Sequence, residues 1–134
     1  MMNKNANNVI RIPASSIVSF FRYWLEFLRP IHHLSNREIE VLTHFLAERY
    51  ELSKVVTDST ILDKVVMSRD VKSRIIADCN LTLPHLQVIM GRLRKEKIIL
   101  DNKLNPKFIP NLELGADSFR LLLLFDLKCN SQKQ

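Results

Sequence analysis

Residues 75–99 decide the fold of this chain, and they read IIADCNLTLPHLQVIMGRLRKEKII. Thr82 can cap a helix that runs from Leu83 to about Glu96, and Pro84 is tolerated in its first turn because the amide it lacks would have no helical partner there. Apolar side chains recur at helical spacing, namely Leu86, Ile89, Met90 and Leu93. The pattern predicts an amphipathic helix with one buried stripe.

Another helix is predicted immediately before this one, and a pair of strands after it. The sequence Ser-Arg-Asp-Val at 68–71 begins a helix to about Cys79, and Asn80 is a plausible terminator. Residues 98–100 and 104–109 predict two strands joined by a tight turn. Prolines at 106 and 110 confine the second strand to a sheet edge.

The clearest helix start lies farther upstream. Ser35 and Glu38 have the spacing of a capping box, and the apolar spacing predicts a helix over residues 35–50. A short helix is expected over residues 59–66, behind Asp58. The helical part of the chain is therefore large, and its elements follow one another closely.

Both ends of the chain carry apolar segments. A helix of about three turns is predicted from Ser15 or Ser16, ended by Pro30. Its apolar face comprises Ile17, Phe20, Phe21, Trp24, Leu25 and Leu28. Residues 119–127 are almost continuously apolar and suit a buried strand or a short helix, of which we favour the strand.

The order of a helix, two helices joined by a short turn and a two-stranded ribbon resembles a winged-helix domain. Residues 75–99 resemble the helix-turn-helix core of that superfamily, and the resemblance covers about residues 34–110. It implies an α+β, mostly helical fold with an extra N-terminal amphipathic helix and a C-terminal apolar strand. The chain as a whole also resembles uncharacterised small proteins of crAss-like tailed phages, a likeness that carries no activity with it.

One residue departs from the family pattern. The superfamily often has Gly between the recognition helix and the wing, whereas this chain has Lys97. A non-glycine residue in a left-handed conformation costs about 1 kcal/mol, so we expect the exit from the helix to differ. The segment around residues 58–66 is also longer than a minimal domain needs.

The charge distribution is uneven along the chain. Its net charge is +6 and its pI about 9.6, which favours an anionic partner. Residues 82–110 contain six basic and two acidic residues, a net of +4, whereas residues 35–67 have a net of −2. Positive charge is thus concentrated where the resemblance places the recognition helix and wing, and where phosphate contacts would be needed.

The resemblance and the charge together imply non-enzymatic binding of nucleic acid, with double-stranded DNA as the expected partner. Gln can pair with adenine and Arg with guanine in the major groove, and wing lysines can contact phosphates. The expected DNA-binding residues are His85, Gln87, Arg92, Arg94, Lys95, Lys97, Lys103 and Lys107. The alternatives are a solvated helix face and an edge strand protected by lysines.

The biological role expected from this resemblance is transcription regulation or replication of a phage or mobile element. The alternative is a protein-interaction or assembly module, such as a phage structural or polymerase-associated protein. The terminal apolar segments motivate this alternative, because they either pack on each other or form a homodimer or docking interface. The expected interface residues are Phe20, Phe21 and Trp24.

Several classes of protein and site are not expected. The 134 residues suit a flexible arm at 1–13, one domain at 14–128 with its reading head at 68–110, and a polar tail at 129–134. With only 2 glycines there is no phosphate-cradling loop, and no nucleophile or acid–base pair suggests an enzyme. No cofactor is implied.

Metal and membrane chemistry are not indicated either. Cys79 and Cys129 are 50 residues apart, and no acidic or cysteine ligand accompanies the histidines at ligand spacing. We interpret His32, His33 and His44 as helix-junction and surface residues. No signal peptide or membrane span is visible, so the host cytoplasm is the expected location, with a virion as the alternative.

Overall fold

The computed structural model describes residues 9–128 and confirms an α+β fold that is mostly helical. Within these residues the elements are α1 (Ile17–Phe27), α2 (Arg29–His32), α3 (Asn36–Ser53), α4 (Ser59–Val66), α5 (Arg69–Cys79), α6 (Leu83–Lys95), β1 (Ile99–Leu100), β2 (Lys103–Leu104) and a 3-10 helix (Pro106–Phe108). The two strands pair in antiparallel fashion, Ile99 opposite Leu104 and Leu100 opposite Lys103.

Helix α3 lies at the centre of the core. Its residues Val41, Leu42 and Phe45 are completely buried, and α1, α4, α5 and α6 all contact it. Burial of each such side chain contributes about 1.5 to 3 kcal/mol, so α3 is the scaffold on which the other helices are positioned. The amphipathic stripes of α5 and α6 meet this core through Ile75, Leu86 and Leu93.

Polar caps set the helix starts, as the sequence predicts. Ser35 Oγ accepts a hydrogen bond from the Glu38 amide, and a Glu38 carboxylate oxygen accepts one from the Ser35 amide, which completes the capping box. Asp58, Ser68 and Thr82 cap α4, α5 and α6. Local side-chain chemistry therefore accounts for the starts of four helices.

The connection between α1 and α3 contains a buried histidine. Helix α1 ends at Phe27, before Pro30, and Pro30 then lies in the first turn of α2. His32 lies at this helix junction, as predicted, but it is buried with 2% of its surface exposed. Its Nε2 is 2.8 Å from the Leu25 carbonyl oxygen, and its Nδ1 is 2.9 Å from the Leu34 amide.

The prediction of a second strand over residues 104–109 is wrong beyond residue 104. Strand β2 covers only Lys103–Leu104, because Pro106 has no amide to donate to a strand partner. The Asn105 side chain accepts a hydrogen bond from the Lys107 amide at 3.0 Å and starts the 3-10 helix instead. The ribbon is therefore shorter than predicted.

The predicted strand over residues 119–127 is not present in this structure. These residues form neither helix nor strand, and they pair with neither β1 nor β2. Phe119 packs against the Phe20 and Trp24 rings, and residues 121–127 are exposed. The predicted boundary at 128 therefore includes a segment outside the core.

The predicted terminal segments lie partly beyond the described residues. Residues 9–13 of the predicted arm have no regular secondary structure. Residues 1–8 of that arm, and the predicted polar tail at 129–134, lie outside the described range.

Candidate nucleic-acid interface

Helix α6 has one buried and one exposed face. The predicted stripe is confirmed, since Leu86, Ile89, Met90 and Leu93 are all buried. The opposite face is exposed and carries Pro84, His85, Gln87, Val88, Gly91, Arg94 and Lys95. A ligand could therefore approach the full length of α6 from outside.

The centre of this face is open. Val88 is 71% exposed, and a Cβ atom built on Gly91 meets no other atom within 4 Å. Packing within the chain therefore does not require a glycine at this position, although glycine in a helix interior costs roughly 0.5 to 1 kcal/mol relative to alanine. Side chains at both positions could be enlarged without disturbing the core.

The exit from α6 is left-handed despite the absence of glycine. Lys97 has a φ of 62°, so a lysine occupies the left-handed conformation in which glycine is the usual residue. Two hydrogen bonds hold this turn: the Ile98 amide donates to the Leu93 carbonyl oxygen, and Asn105 Nδ2 donates to the Lys97 carbonyl oxygen, each at 2.9 Å. The strand β1 then follows directly.

Replacing Lys97 by glycine should therefore stabilise the domain. Lys97→Gly relieves the left-handed strain, and we expect the free energy of unfolding to rise by up to about 1 kcal/mol. Urea denaturation measures this change, and Lys95→Gly in the helix is the control, expected to lower stability by about 1 kcal/mol. A loss of stability in Lys97→Gly would contradict the strain argument.

The β1–β2 hairpin presents one face to solvent, which carries Leu100 and Lys103. Asp101 and Asn102 both have positive φ, 56° and 59°, as a two-residue hairpin turn of type I′ requires. Ile99 and Leu104 are buried on one face of the ribbon. The Lys103 side chain therefore lies on the outer face, directly after the turn.

Arg92 has a structural environment that the sequence analysis missed. Its Nη1 is 2.8 Å from a Glu96 carboxylate oxygen, its Nε is 3.6 Å from Glu38, and its Nη2 donates to the His33 carbonyl oxygen at 3.4 Å. Arg92 thus connects α6 to the start of α3, and two carboxylates neutralise its charge. The spacing of Arg92 and Glu96 at i and i+4 is a signal that could have indicated this role.

The remaining predicted cations are exposed and have no ion pair within residues 9–128. They lie on the last turn of α6, on the turn after it, on the hairpin and on the 3-10 helix. Lys107 additionally lies over the Phe108 ring, with its Nζ 5.9 Å from the ring centroid. The set comprises Arg94, Lys95, Lys97, Lys103 and Lys107.

The predicted interface residues of α1 pack within their own chain. Phe21 is 3% exposed, whereas Phe20 and Trp24 are half-buried. Trp24 Nε1 donates to the Phe108 carbonyl oxygen at 2.8 Å, which attaches α1 to the end of the hairpin region. Phe119 forms edge-to-face contacts with Phe20 and Trp24, with ring centroids 5.2 and 5.9 Å apart.

The remaining titratable residues show no arrangement for catalysis or metal binding among the described residues. Cys79 is buried, as predicted, and burial raises the pKa of its thiol to about 11. No group of three or more His, Cys, Asp or Glu side chains in residues 9–128 could hold a metal ion. Within the same range, no helix combines the length and the apolar composition that crossing a membrane requires.

Comparison of the chain with protein-family models, with curated proteins and with solved structures found no match. The functional argument therefore depends on the chemistry of the residues described above.

Proposed function

We propose that this protein is a winged-helix protein that binds double-stranded DNA through α6 and the β1–β2 hairpin. In this proposal α5 and α6 form the helix-turn-helix, α6 is the recognition helix and the hairpin is the wing. The role we propose is transcription regulation or replication of a phage or mobile element, with no catalytic step.

One observation carries the proposal: five exposed cations occur within residues 94–107, and no carboxylate in residues 9–128 pairs with them. Elsewhere, some basic side chains are paired with carboxylates, as Arg74 is with Glu48 at 2.9 Å and Arg37 with Glu40 at 2.6 Å. Unmatched cations on one continuous stretch suit the regularly spaced phosphates of DNA, because each phosphate contact releases a counterion.

The exposed residues of α6 divide into two chemical groups along the helix. His85, Gln87 and Val88 lie in its first two turns, and Arg94 and Lys95 lie in its last turn. Gln can hydrogen-bond to adenine and apolar groups can contact the thymine methyl group, whereas Arg and Lys contact phosphates as well as guanine. We therefore assign base contacts to the first half of α6 and phosphate contacts to its end, to Lys97 and to the hairpin. Arg92 is assigned a structural role.

The proposal is tested by the salt dependence of DNA binding. Fluorescence anisotropy would follow a labelled duplex of about 30 base pairs and mixed sequence at 50 and 200 mM salt, since a phosphate-dominated complex weakens steeply over that range. The triple variant Arg94→Gln, Lys95→Gln, Lys103→Gln removes three proposed phosphate contacts. We expect it to bind with a salt slope shallower by about 2.7 and with an affinity at 50 mM salt lower by a factor on the order of 100 or more.

A matched control separates local contacts from net charge. The triple variant Arg22→Gln, Arg69→Gln, Lys72→Gln also loses three positive charges, from α1 and α5, and these cations have no ion pair within residues 9–128. We expect it to retain the affinity and the salt slope of the unaltered chain. Undetectable binding of the unaltered chain at 50 mM salt would overturn the proposal, and equal weakening of both variants would refute the assigned surface.

A protein-interaction or assembly module is the second candidate function. The observation that favours it is the exposure of large apolar residues at the C-terminal side of the domain, where Leu122, Leu124 and Phe125 are 79%, 83% and 83% exposed. Exposed apolar patches of this kind mark interaction sites. Deletion of residues 119–127 separates the two candidates, since DNA binding is expected to survive it and a protein-docking role is not.

A further inference from the structure

We infer that residues 120–126 of two copies of this chain pair with each other as an antiparallel two-stranded ribbon, which makes the protein a homodimer. This inference goes beyond the proposed function and does not depend on it. The occupant of the exposed apolar segment, defined as residues 119–127, is therefore the same segment of a second copy.

The backbone of the apolar segment is available for pairing. Within the described residues, the main-chain amides and carbonyls of residues 119–127 form no hydrogen bond with the rest of the chain. Unpaired main-chain groups beside apolar side chains are a template for another strand. In a single copy the segment also leaves large apolar side chains in water, since each of the following is at least 79% exposed: Leu122, Leu124, Phe125 and Leu127.

The sequence of the segment is complementary to itself in antiparallel orientation. It reads RLLLLFD from residue 120 to residue 126. If Leu123 lies opposite its own copy, Arg120 lies opposite Asp126 at both ends of the ribbon. All the pairs between them are apolar. Opposite charges directly across an antiparallel pair are stabilising, and like charges are destabilising, so this register is favoured over its neighbours.

The two faces of such a ribbon differ in composition. Side chains alternate between faces, so Phe119, Leu121, Leu123 and Phe125 share one entirely apolar face. Phe119 already packs against Phe20 and Trp24 of α1, which directs this face toward the domain. The other face carries Leu122 and Leu124 between the charged pairs that Arg120 and Asp126 form at its ends.

Pairing covers apolar side chains that one copy leaves exposed. Leu121, Leu123, Phe125 and Leu127, which share one face of the ribbon, are 39%, 51%, 83% and 93% exposed in a single copy. Pairing also provides the strand neighbour that residues 119–127 lack within one chain. The ribbon thereby covers apolar surface that a single copy leaves in water.

Charge reversal tests the register by sedimentation equilibrium without nucleic acid. Asp126→Arg places two arginines opposite each other at each end, and Arg120→Asp places two carboxylates there. We expect each single variant to raise the dimer dissociation constant about 10-fold or more. The double variant Arg120→Asp, Asp126→Arg restores opposite charges and is expected to return the constant to within about 3-fold of the unaltered value. The core is not involved, so all variants should fold alike by circular dichroism.

Cysteine cross-linking tests the two-fold position. In a Cys129→Ser background, Leu123→Cys places two thiols opposite each other, whereas Leu121→Cys places each thiol opposite Phe125. Under mild oxidation we expect disulfide-linked dimers from Leu123→Cys and few from Leu121→Cys, seen on non-reducing gels. The buried Cys79 does not contribute in the folded chain.

Three results would overturn the inference. One is a monomer at about 100 µM, a concentration at which even a weak specific dimer is populated. The second is a double charge variant that dimerises no better than the single variants. The third is equal cross-linking from positions 121 and 123. DNA binding is measured separately, so failure of this inference and failure of the proposed function are distinguishable.

Discussion

Trp24→Ala is expected to lower the free energy of unfolding by about 3 kcal/mol, the lower end of the range for truncating a large core aromatic, because the ring is half-buried. The change removes the contact with Phe119 and the hydrogen bond from Nε1 to the Phe108 carbonyl oxygen. Urea denaturation gives the stability, and light scattering checks the oligomeric state at the same concentration.

Two control variants divide this effect. Trp24→Phe keeps a ring in place and loses the hydrogen bond, so we expect a smaller loss of about 1 to 2 kcal/mol. Tyr23→Ala alters the neighbouring side chain, which is 42% exposed, and is expected to change stability by less than about 0.5 kcal/mol. An unchanged melting temperature in Trp24→Ala would contradict the packing of α1 described above, and dissociation of folded chains would place Trp24 between chains.

His32→Ala is expected to have an effect of similar or greater size, about 3 to 5 kcal/mol. His32 is buried and both of its ring nitrogens hydrogen-bond to main-chain atoms, Nε2 to the Leu25 carbonyl oxygen and Nδ1 to the Leu34 amide. Alanine leaves a cavity and a buried amide without a partner. His33→Asn is the control, because the adjacent residue is exposed, has a φ of 55° and tolerates asparagine. A loss below about 1 kcal/mol in His32→Ala would contradict the role of this side chain as the link between α1 and α3.

The same histidine gives stability a definite pH dependence. Nδ1 accepts the Leu34 amide, so the neutral ring donates from Nε2, and burial lowers the pKa of His32 below its ordinary value of 6.5. Below pH 6.5 His32 binds a proton in the unfolded chain, whereas in the folded chain it binds one only at a lower pH. Stability therefore falls as the pH drops from 7 toward 5, by at most about 1.4 kcal/mol per pH unit from this group. Urea denaturation of the unaltered chain and of His32→Gln at several pH values measures this dependence. Equal slopes of the free energy of unfolding against pH in the two proteins would contradict the role of His32.

The helices could be predicted from sequence because their signals are local. Ser35, Asp58 and Thr82 each cap a helix within three residues of themselves, and Asn80 ends α5 in a left-handed conformation. The buried stripe of α6 followed from periodicity alone. Such features depend on neighbours in the chain and are readable without knowledge of the tertiary structure.

The sequence was least informative at positions whose environment is set by residues far away in the chain. The ion pair between Arg92 and Glu38, 54 positions apart, was not predicted, whereas the predicted contact of Arg92 with DNA stays a prediction. His32 was expected near the surface, and its burial follows from the packing of α1 on α3. Residues 119–127 have the composition of a strand, yet a strand exists only where a partner strand is present.

The sequence identified the cations of the candidate site, but it did not indicate their ion pairs or their backbone conformation. Arg94, Lys95, Lys97, Lys103 and Lys107 are exposed without ion pairs in residues 9–128, as a binding role requires. Lys97 was predicted to alter the helix exit, because glycine is the usual residue in a left-handed turn. The hydrogen bonds around Asn105 stabilise that turn with lysine in place, and they lie eight residues away in the chain.

The environment of Cys79 makes this residue a probe of motion between α5 and α3, because its Sγ lies 3.5 Å from Nδ1 of His44 in α3. Cys79 is 1% exposed, and its thiol, with a pKa of about 11, is almost entirely protonated at neutral pH. An alkylating reagent needs both access and a thiolate, so the folded thiol is protected twice. In a chain whose Cys129 is replaced by serine, the labelling rate of Cys79 measures how often the packing around this thiol opens. Comparing that rate with and without DNA would show whether binding makes these openings rarer.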